Sequence, residues 1–169
     1  MNFEIRKAII SDADSIGHVH IVSWQTAYHG IISDEYLQSL SASEKAERFK
    51  NHILNLTNTF YFVAELNKSI IGNLTLHKCR DDDLNDFGEI GAIYLLPEYW
   101  DKGYGKQMMD FSENFLKNMG FRSISLWVLE RNYRARNFYE KCGFVFEGTK
   151  KEIIIGNHLI EIRYTKVVN

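Results

Sequence analysis

The chain places an apolar run ending at Leu95-Leu96, the segment Pro97-Glu98-Tyr99-Trp100-Asp101-Lys102, and then Gly103-Tyr104-Gly105-Lys106 directly ahead of apolar positions 104, 108, 111 and 115. Strand, glycine-bearing loop and amphipathic helix therefore follow one another. Backbone N–H groups at a helix start lack intrahelical acceptors and lie at the positive end of the helix dipole, so the segment is a candidate anion site able to take a diphosphate. Glycine at 103 and 105 removes the Cβ that would separate those amides from phosphate oxygens. Read alone, the two glycines are equally compatible with a loop and helix start that carry no ligand. Two familiar phosphate loops are excluded. Gly105-Lys106 is followed by Gln107 where a P-loop needs Ser or Thr, and a dinucleotide fingerprint would need its third glycine at Met108, with a tight turn in place of Pro97 to Lys102.

The rest of the chain is consistent with one soluble domain spanning residues 1–169. At 169 residues, 45% of them hydrophobic, it can bury about two-thirds of its unfolded surface. It has no apolar run near the ~20 residues a membrane helix needs, and Met1 to Arg6 carries no apolar leader, so a cytoplasmic protein with no membrane partner is expected. The net charge of −2, without a Lys/Arg cluster, excludes a dominant nucleic-acid role. Cys79 and Cys142 are isolated and read as reduced, space-filling thiols. His18 and His20, two apart on an expected helix, face different sides, and no metal site is expected.

Periodicity assigns most elements. Phe3 to Ala8 reads as a strand, and Ser11 as the cap of a helix running to about Tyr28 and stopping near Gly30. Ser33 opens a short helix, and Ser41 to Leu56 forms another. Phe60 to Glu65 and Ile70 to His77 form a hairpin across Leu66-Asn67-Lys68-Ser69, with a bulge marked by Gly72. Glu89 to Leu96 reads as a central strand covered on both faces. The helix from Tyr104 stops at Gly120, Ser123 to Leu129 is a strand, and a helix capped by Asn132 ends at Gly143. Ile153 to Ile160 closes the chain as a hairpin. The expected fold is α/β: a central, mixed, largely antiparallel twisted sheet of about seven strands with helices on both faces.

A second motif, Asn132-x-x-Ala135-x-x-Phe138-Tyr139-x-Lys141-x-Gly143-Phe144, follows the glycine loop by one strand. Together the two resemble the GNAT superfamily of acetyl-CoA dependent N-acetyltransferases, over most of the chain. The resemblance implies acetyl-CoA as cosubstrate and transfer of its acetyl group to an amine. It implies that Ile93, Tyr94 and Leu95 align the pantetheine arm, and that Trp100, Asp101, Lys102, Gly103, Tyr104, Gly105 and Lys106 hold the pyrophosphate. Asn132, Ala135, Phe138 and Lys141 match positions approaching the pantetheine and adenosine end. Trp100 departs from the Arg or Gln usual in the superfamily, but a loop that binds through main-chain amides is expected to tolerate the change.

The same resemblance makes Tyr139 the general acid for the leaving thiolate and Glu89 a general base acting through a water. It places Trp24, Tyr28 and Tyr36 on the acceptor side, near Asp81-Asp82-Asp83, whose carboxylates are candidates to attract a cationic amine. A small primary amine such as a polyamine or aminoglycoside is the expected acceptor. Protein N-termini, or an acetyl-CoA sensor without turnover, are the alternatives. Relatives often form homodimers.

Overall fold

The run Phe62-Val63-Ala64 fixes which helices cover which face, because successive strand side chains point to opposite sides of a sheet. The computed structural model describes residues 2–54 and 58–168. In chain order these form β1 (Phe3–Lys7), α1 (Ala13–Ala27), α2 (Asp34–Ser39), α3 (Ala42–Leu54), β2 (Thr59–Leu66), β3 (Ser69–Lys78), β4 (Gly88–Leu95), α4 (Tyr104–Asn118), β5 (Ser123–Leu129), α5 (Tyr133–Lys141), β6 (Val145–Ile155) and β7 (Asn157–Val167). Val63 packs with Ala13 and Ile16 of α1 and Phe49 of α3, whereas Phe62 and Ala64 share a cluster with Met108 and Leu116 of α4 and Tyr139 of α5. Each fully buried apolar side chain in these clusters contributes about 1.5–3 kcal/mol before the entropy of ordering it.

The sheet order is β1-β2-β3-β4-β5-β7-β6, and β4–β5 is its one parallel pair among the described residues. That pair is brief: Gly88 aligns with Ile124 and Glu89 with Ser125, after which the strands part. The expectation of a central strand covered on both faces holds for Gly88 to Ile90 and again at Leu95 and Leu96, and fails between them. Gly91 is exposed and Ala92, Ile93 and Tyr94 are half-buried, because β5 no longer shields that edge.

Local sequence accounts for most boundaries. Asn67 and Lys68 both adopt positive φ, 49° and 71°, giving the β2–β3 hairpin the turn that matches strand twist. A bulge at the expected place shifts the register between Ala64 opposite Gly72 and Glu65 opposite Ile70. Ser33 caps α2 by accepting the Tyr36 N–H, and Asn132 caps α5 by accepting the Ala135 N–H. Ser11 is not the cap of α1. A 3₁₀ turn over Ile10–Asp12 precedes that helix, and the Asp12 carboxylate accepts the Ile9 N–H at 2.9 Å while holding Arg6 at 2.7 Å. An ion pair to β1 outcompetes a local hydroxyl. The two final positions of the third expected helix lie outside the described residues.

The closing hairpin is far longer than the sequence pattern predicts, 11 residues in each strand. Its first strand escapes pattern reading because Glu147-Gly148-Thr149 bulge opposite Arg163, and Gly148 has φ 103°. The hairpin tip folds onto the loop between α1 and α2. Asn157 Oδ1 accepts the Ser33 N–H at 3.0 Å, and its Nδ2 donates to the Ile31 carbonyl at 3.3 Å. Gly156 is required there: a Cβ would stand 2.6 Å from both Ser33 Oγ and Tyr36 Cβ.

Candidate active site

Where β4 and β5 part, the edge of β4 from Ile90 to Leu95 has no strand partner on the β5 side. Ile93 and Tyr94 lie on this stretch of β4, paired with β3 on the other side, so the strand has an open edge of the kind an added strand would use. The Leu95 carbonyl is already engaged. It accepts Trp100 Nε1–H at 2.7 Å and Ser23 Oγ–H at 3.1 Å. Trp100 thus ties the glycine loop to the end of β4, and Arg134 of α5 stacks on its ring at 4.4 Å while pairing with Asp101 at 2.6 Å.

The glycine loop has the form the sequence predicts. Asp101 and Gly103 take positive φ, 57° and 85°, a curl that gathers successive amides on one side. Among the described residues none of the amides from Asp101 to Lys106 donates to a main-chain carbonyl, and the helix ladder begins with Gln107 N–H to Gly103 at 3.2 Å. A Cβ at Gly103 would meet nothing within 4 Å, so glycine is needed there for its φ and for an open approach. Gly105 faces Phe138, whose ring stands 3.5 Å from where a Cβ would be. Lys102 lies over the Tyr99 ring, Tyr104 packs on Phe3, and Lys106 pairs with Asp110. Ala135 is half-buried, and Lys141 is exposed at the end of α5.

Two buried tyrosines show how the site differs from the core. The Tyr164 hydroxyl donates to Glu140 at 2.6 Å and accepts Arg136 Nε–H at 3.2 Å. Tyr139 is buried as well, yet among the described residues nothing hydrogen-bonds its hydroxyl, although a buried phenol usually finds a partner. Burial, with the neighbouring Tyr94 hydroxyl second, pushes its pKa well above the ordinary phenol value. Tyr94 is pushed up to about 12, chiefly by burial. Both phenols remain protonated through the neutral range.

A cavity of about 160 Å³ adjoins these groups, lined by Trp24, Tyr28 and Tyr94 on one side and Trp127, Lys151 and Glu161 on the other, with Arg80, Glu89 and Ile155 completing it. Trp24 stacks on His20 and meets Tyr28 edge-on, and its buried indole N–H lies beside the Tyr94 hydroxyl, where it lowers that phenol's pKa against the larger effect of burial. His20 is held neutral, its pKa lowered to about 3 by burial and then by the charge of Lys45. Glu89 is 3% exposed; Oε1 accepts Arg80 Nη2–H at 2.9 Å and Oε2 accepts the Arg80 backbone N–H at 3.1 Å. Each oxygen keeps a lone pair.

Not all the expected acceptor residues converge here. Tyr36 lies outside the cavity lining, packed beneath Gly156, where it supports the hairpin tip. Asp81 and Asp83 are held by Arg163, at 3.0 and 2.5 Å, and Asp81 also accepts the Trp127 indole N–H. That turn neutralises a buried guanidinium 3% exposed, and Asp81, Asp82 and Asp83 are absent from the cavity lining. Trp127, Lys151 and Glu161 were missed in the sequence. The available signal was a charge at 161 alternating with Ile160 and Ile162. A larger hollow, about 370 Å³, lies beside Ile31, Glu130, Glu152 and Ile160, and shares Leu129 with the cavity but none of the residues singled out from the sequence.

Parted strands, amides at a helix start without main-chain acceptors among the described residues and a buried phenol on α5 are the features an acyltransferase of a nucleotide-tailed thioester would need. The chain belongs to the acetyltransferase (GNAT) family, whose model matches residues 21–144. It is 36% identical over 129 residues to an uncharacterized N-acetyltransferase of Bacillus subtilis, covering 76% of this chain and 72% of the relative. It is 30% identical over 153 residues to a spermidine N(1)-acetyltransferase of Thermoplasma acidophilum, covering 88% and 92%. The crystal structure of the PaiA N-acetyltransferase of that organism in complex with coenzyme A superposes with a TM-score of 0.80 at 30% identity, covering 99% of both chains. The protein is an acetyl-CoA dependent N-acetyltransferase with one seven-stranded mixed sheet. The open β4 edge and the unengaged amides at Gly103 to Lys106 fit that cosubstrate.

Proposed function

We propose that this enzyme acetylates a primary amine of a small aliphatic polyamine by direct attack on the thioester. The observation that carries the acceptor class is the cavity itself, where the aromatic rings of Trp24, Tyr28, Tyr94 and Trp127 and the carboxylates of Glu89 and Glu161 surround a space suited to an alkylammonium. The 30% identity to a spermidine N(1)-acetyltransferase supports the same class. A lysine-like amine is mostly protonated at pH 7, so losing its proton costs about 4–5 kcal/mol unless a base accepts it. Glu89 takes that proton through a water, its carboxylate oriented by both Arg80 bonds. The main chain of Ile93 and Tyr94 aligns the thioester arm, and the amides from Gly103 to Lys106 hold the pyrophosphate. Tyr139, protonated and without a hydrogen-bond partner among the described residues, donates to the sulfur as charge develops there.

The test is thiol release from acetyl-CoA with spermidine, putrescine, an aminoglycoside and a peptide bearing a free N-terminus. Turnover is expected with the polyamines. Transfer to the peptide and not to polyamines overturns the acceptor class, and coenzyme binding without turnover on any amine overturns the catalytic roles.

A further inference from the structure

The acceptor cavity already contains an ammonium, supplied by the protein. Lys151 of β6 lays Nζ 3.7 Å from the centroid of the Trp127 ring and 3.3 Å from Glu161 Oε2. Lys151 and Glu161 face each other across the β6–β7 register, and all three residues line the cavity. An ammonium on an indole face beside a carboxylate is the way proteins recognise alkylammonium groups. The other cations here are held more firmly. Arg163 is gripped by Asp81, Asp83 and Glu147, and Arg80 donates from both side chain and backbone to Glu89. Lys151, with 43% of its side chain exposed, has Glu161 alone as a polar partner among the described residues. A half-exposed pair of this kind is weak and releases readily.

We propose that Trp127 and Glu161 form the seat for a second, non-reacting ammonium of a polycationic acceptor, and that Lys151 fills this seat until the acceptor displaces it. The placement rests on the polyamine acceptor proposed above. A diamine or triamine delivers one nitrogen toward Glu89 and Tyr139 while another replaces the Lys151 head group, whose four-carbon stem lets it swing into solvent. The charge of Glu161 acts on the hydroxyls of Tyr28 and Tyr94, which puts the seat within electrostatic reach of the reacting end.

The experiment measures KM for spermidine and for n-butylamine with the wild type, Glu161→Gln and Lys151→Met, with acetyl-CoA affinity as the folding control. For Glu161→Gln the KM of spermidine is expected to rise about tenfold more than that of the monoamine. For Lys151→Met the ratio of spermidine KM to monoamine KM is expected to fall about two- to fivefold, because the competing cation is gone. Equal changes for both amines in Glu161→Gln, or a raised ratio in Lys151→Met, overturn the seat. If Glu161→Gln loses acetyl-CoA binding, Lys151→Met decides the matter by itself. Absence of spermidine turnover in the wild type refutes the polyamine acceptor and the seat with it, whereas normal wild-type turnover with unmoved variants refutes the seat alone.

Discussion

Replacing tyrosine by phenylalanine at positions 139 and 164 removes the same oxygen from two buried sites and is expected to give opposite results. The Tyr164 hydroxyl lies 2.6 Å from a Glu140 carboxylate oxygen and 3.2 Å from Arg136 Nε, so its loss leaves a charged pair short of a partner. Hydrogen bonds to charged groups contribute about 1.5–3 kcal/mol each, and a domain of this size shifts Tm by about 2–4 °C per kcal/mol. Counting the shorter bond to Glu140 alone, Tyr164→Phe should therefore melt roughly 3–12 °C lower, with kcat little changed. Tyr139→Phe breaks no protein hydrogen bond among the described residues and keeps the ring that packs on Phe138 and Phe144. Its Tm and coenzyme affinity should match wild type. Its turnover should fall about 10- to 1,000-fold, the range expected on losing a general acid. Thiol release under saturating acetyl-CoA, beside differential scanning calorimetry, reads both effects. Unchanged turnover in Tyr139→Phe would refute the assignment of the leaving-group proton to this phenol.

Gly103→Ala meets no steric obstacle, yet a φ of 85° strains an L-residue by about 1–2 kcal/mol, so the variant should lose that much stability and bind coenzyme A more weakly by calorimetry. Unaltered coenzyme affinity would remove these amides from the pyrophosphate site. His20 is neutral when folded, with its pKa lowered to about 3, but titrates near ~6.5 when unfolded. The unfolded chain thus binds the extra proton first, and stability drops as pH falls below ~6.5, by about 2 kcal/mol at pH 5. His20→Phe should abolish that part of the acid sensitivity in urea titrations at pH 7.5 and 5, and parallel curves for variant and wild type would show that His20 does not cause it.

The elements that frame the site are encoded locally. The hairpin turn at Asn67-Lys68, the bulge at Gly72, the caps at Ser33 and Asn132 and the left-handed Gly103 each follow from residues within a few positions of one another. The same locality explains the errors. Ser11 has the right chemistry for a cap, but Asp12 wins through an arginine six residues back. The acidic turn at Asp81 to Asp83 looks like a lure for amines until Arg163, distant in sequence, is seen to neutralise two of its carboxylates. Tyr36 shares a segment with Trp24 and Tyr28 yet ends beneath the hairpin tip.

What the sequence determined by itself was the glycine loop, the helix it opens and the helix that carries Tyr139 one strand later, because dihedral limits, capping and periodicity act within a single turn or strand. The tertiary structure decided the acceptor side. Placing β7 between β5 and β6 brings Trp127, Glu161 and Lys151 together from three strands, and the early parting of β4 from β5 opens the edge proposed for the thioester arm. Neither follows from any local window. Strand order and the point at which two strands separate are set by the packing of the whole sheet against its helices.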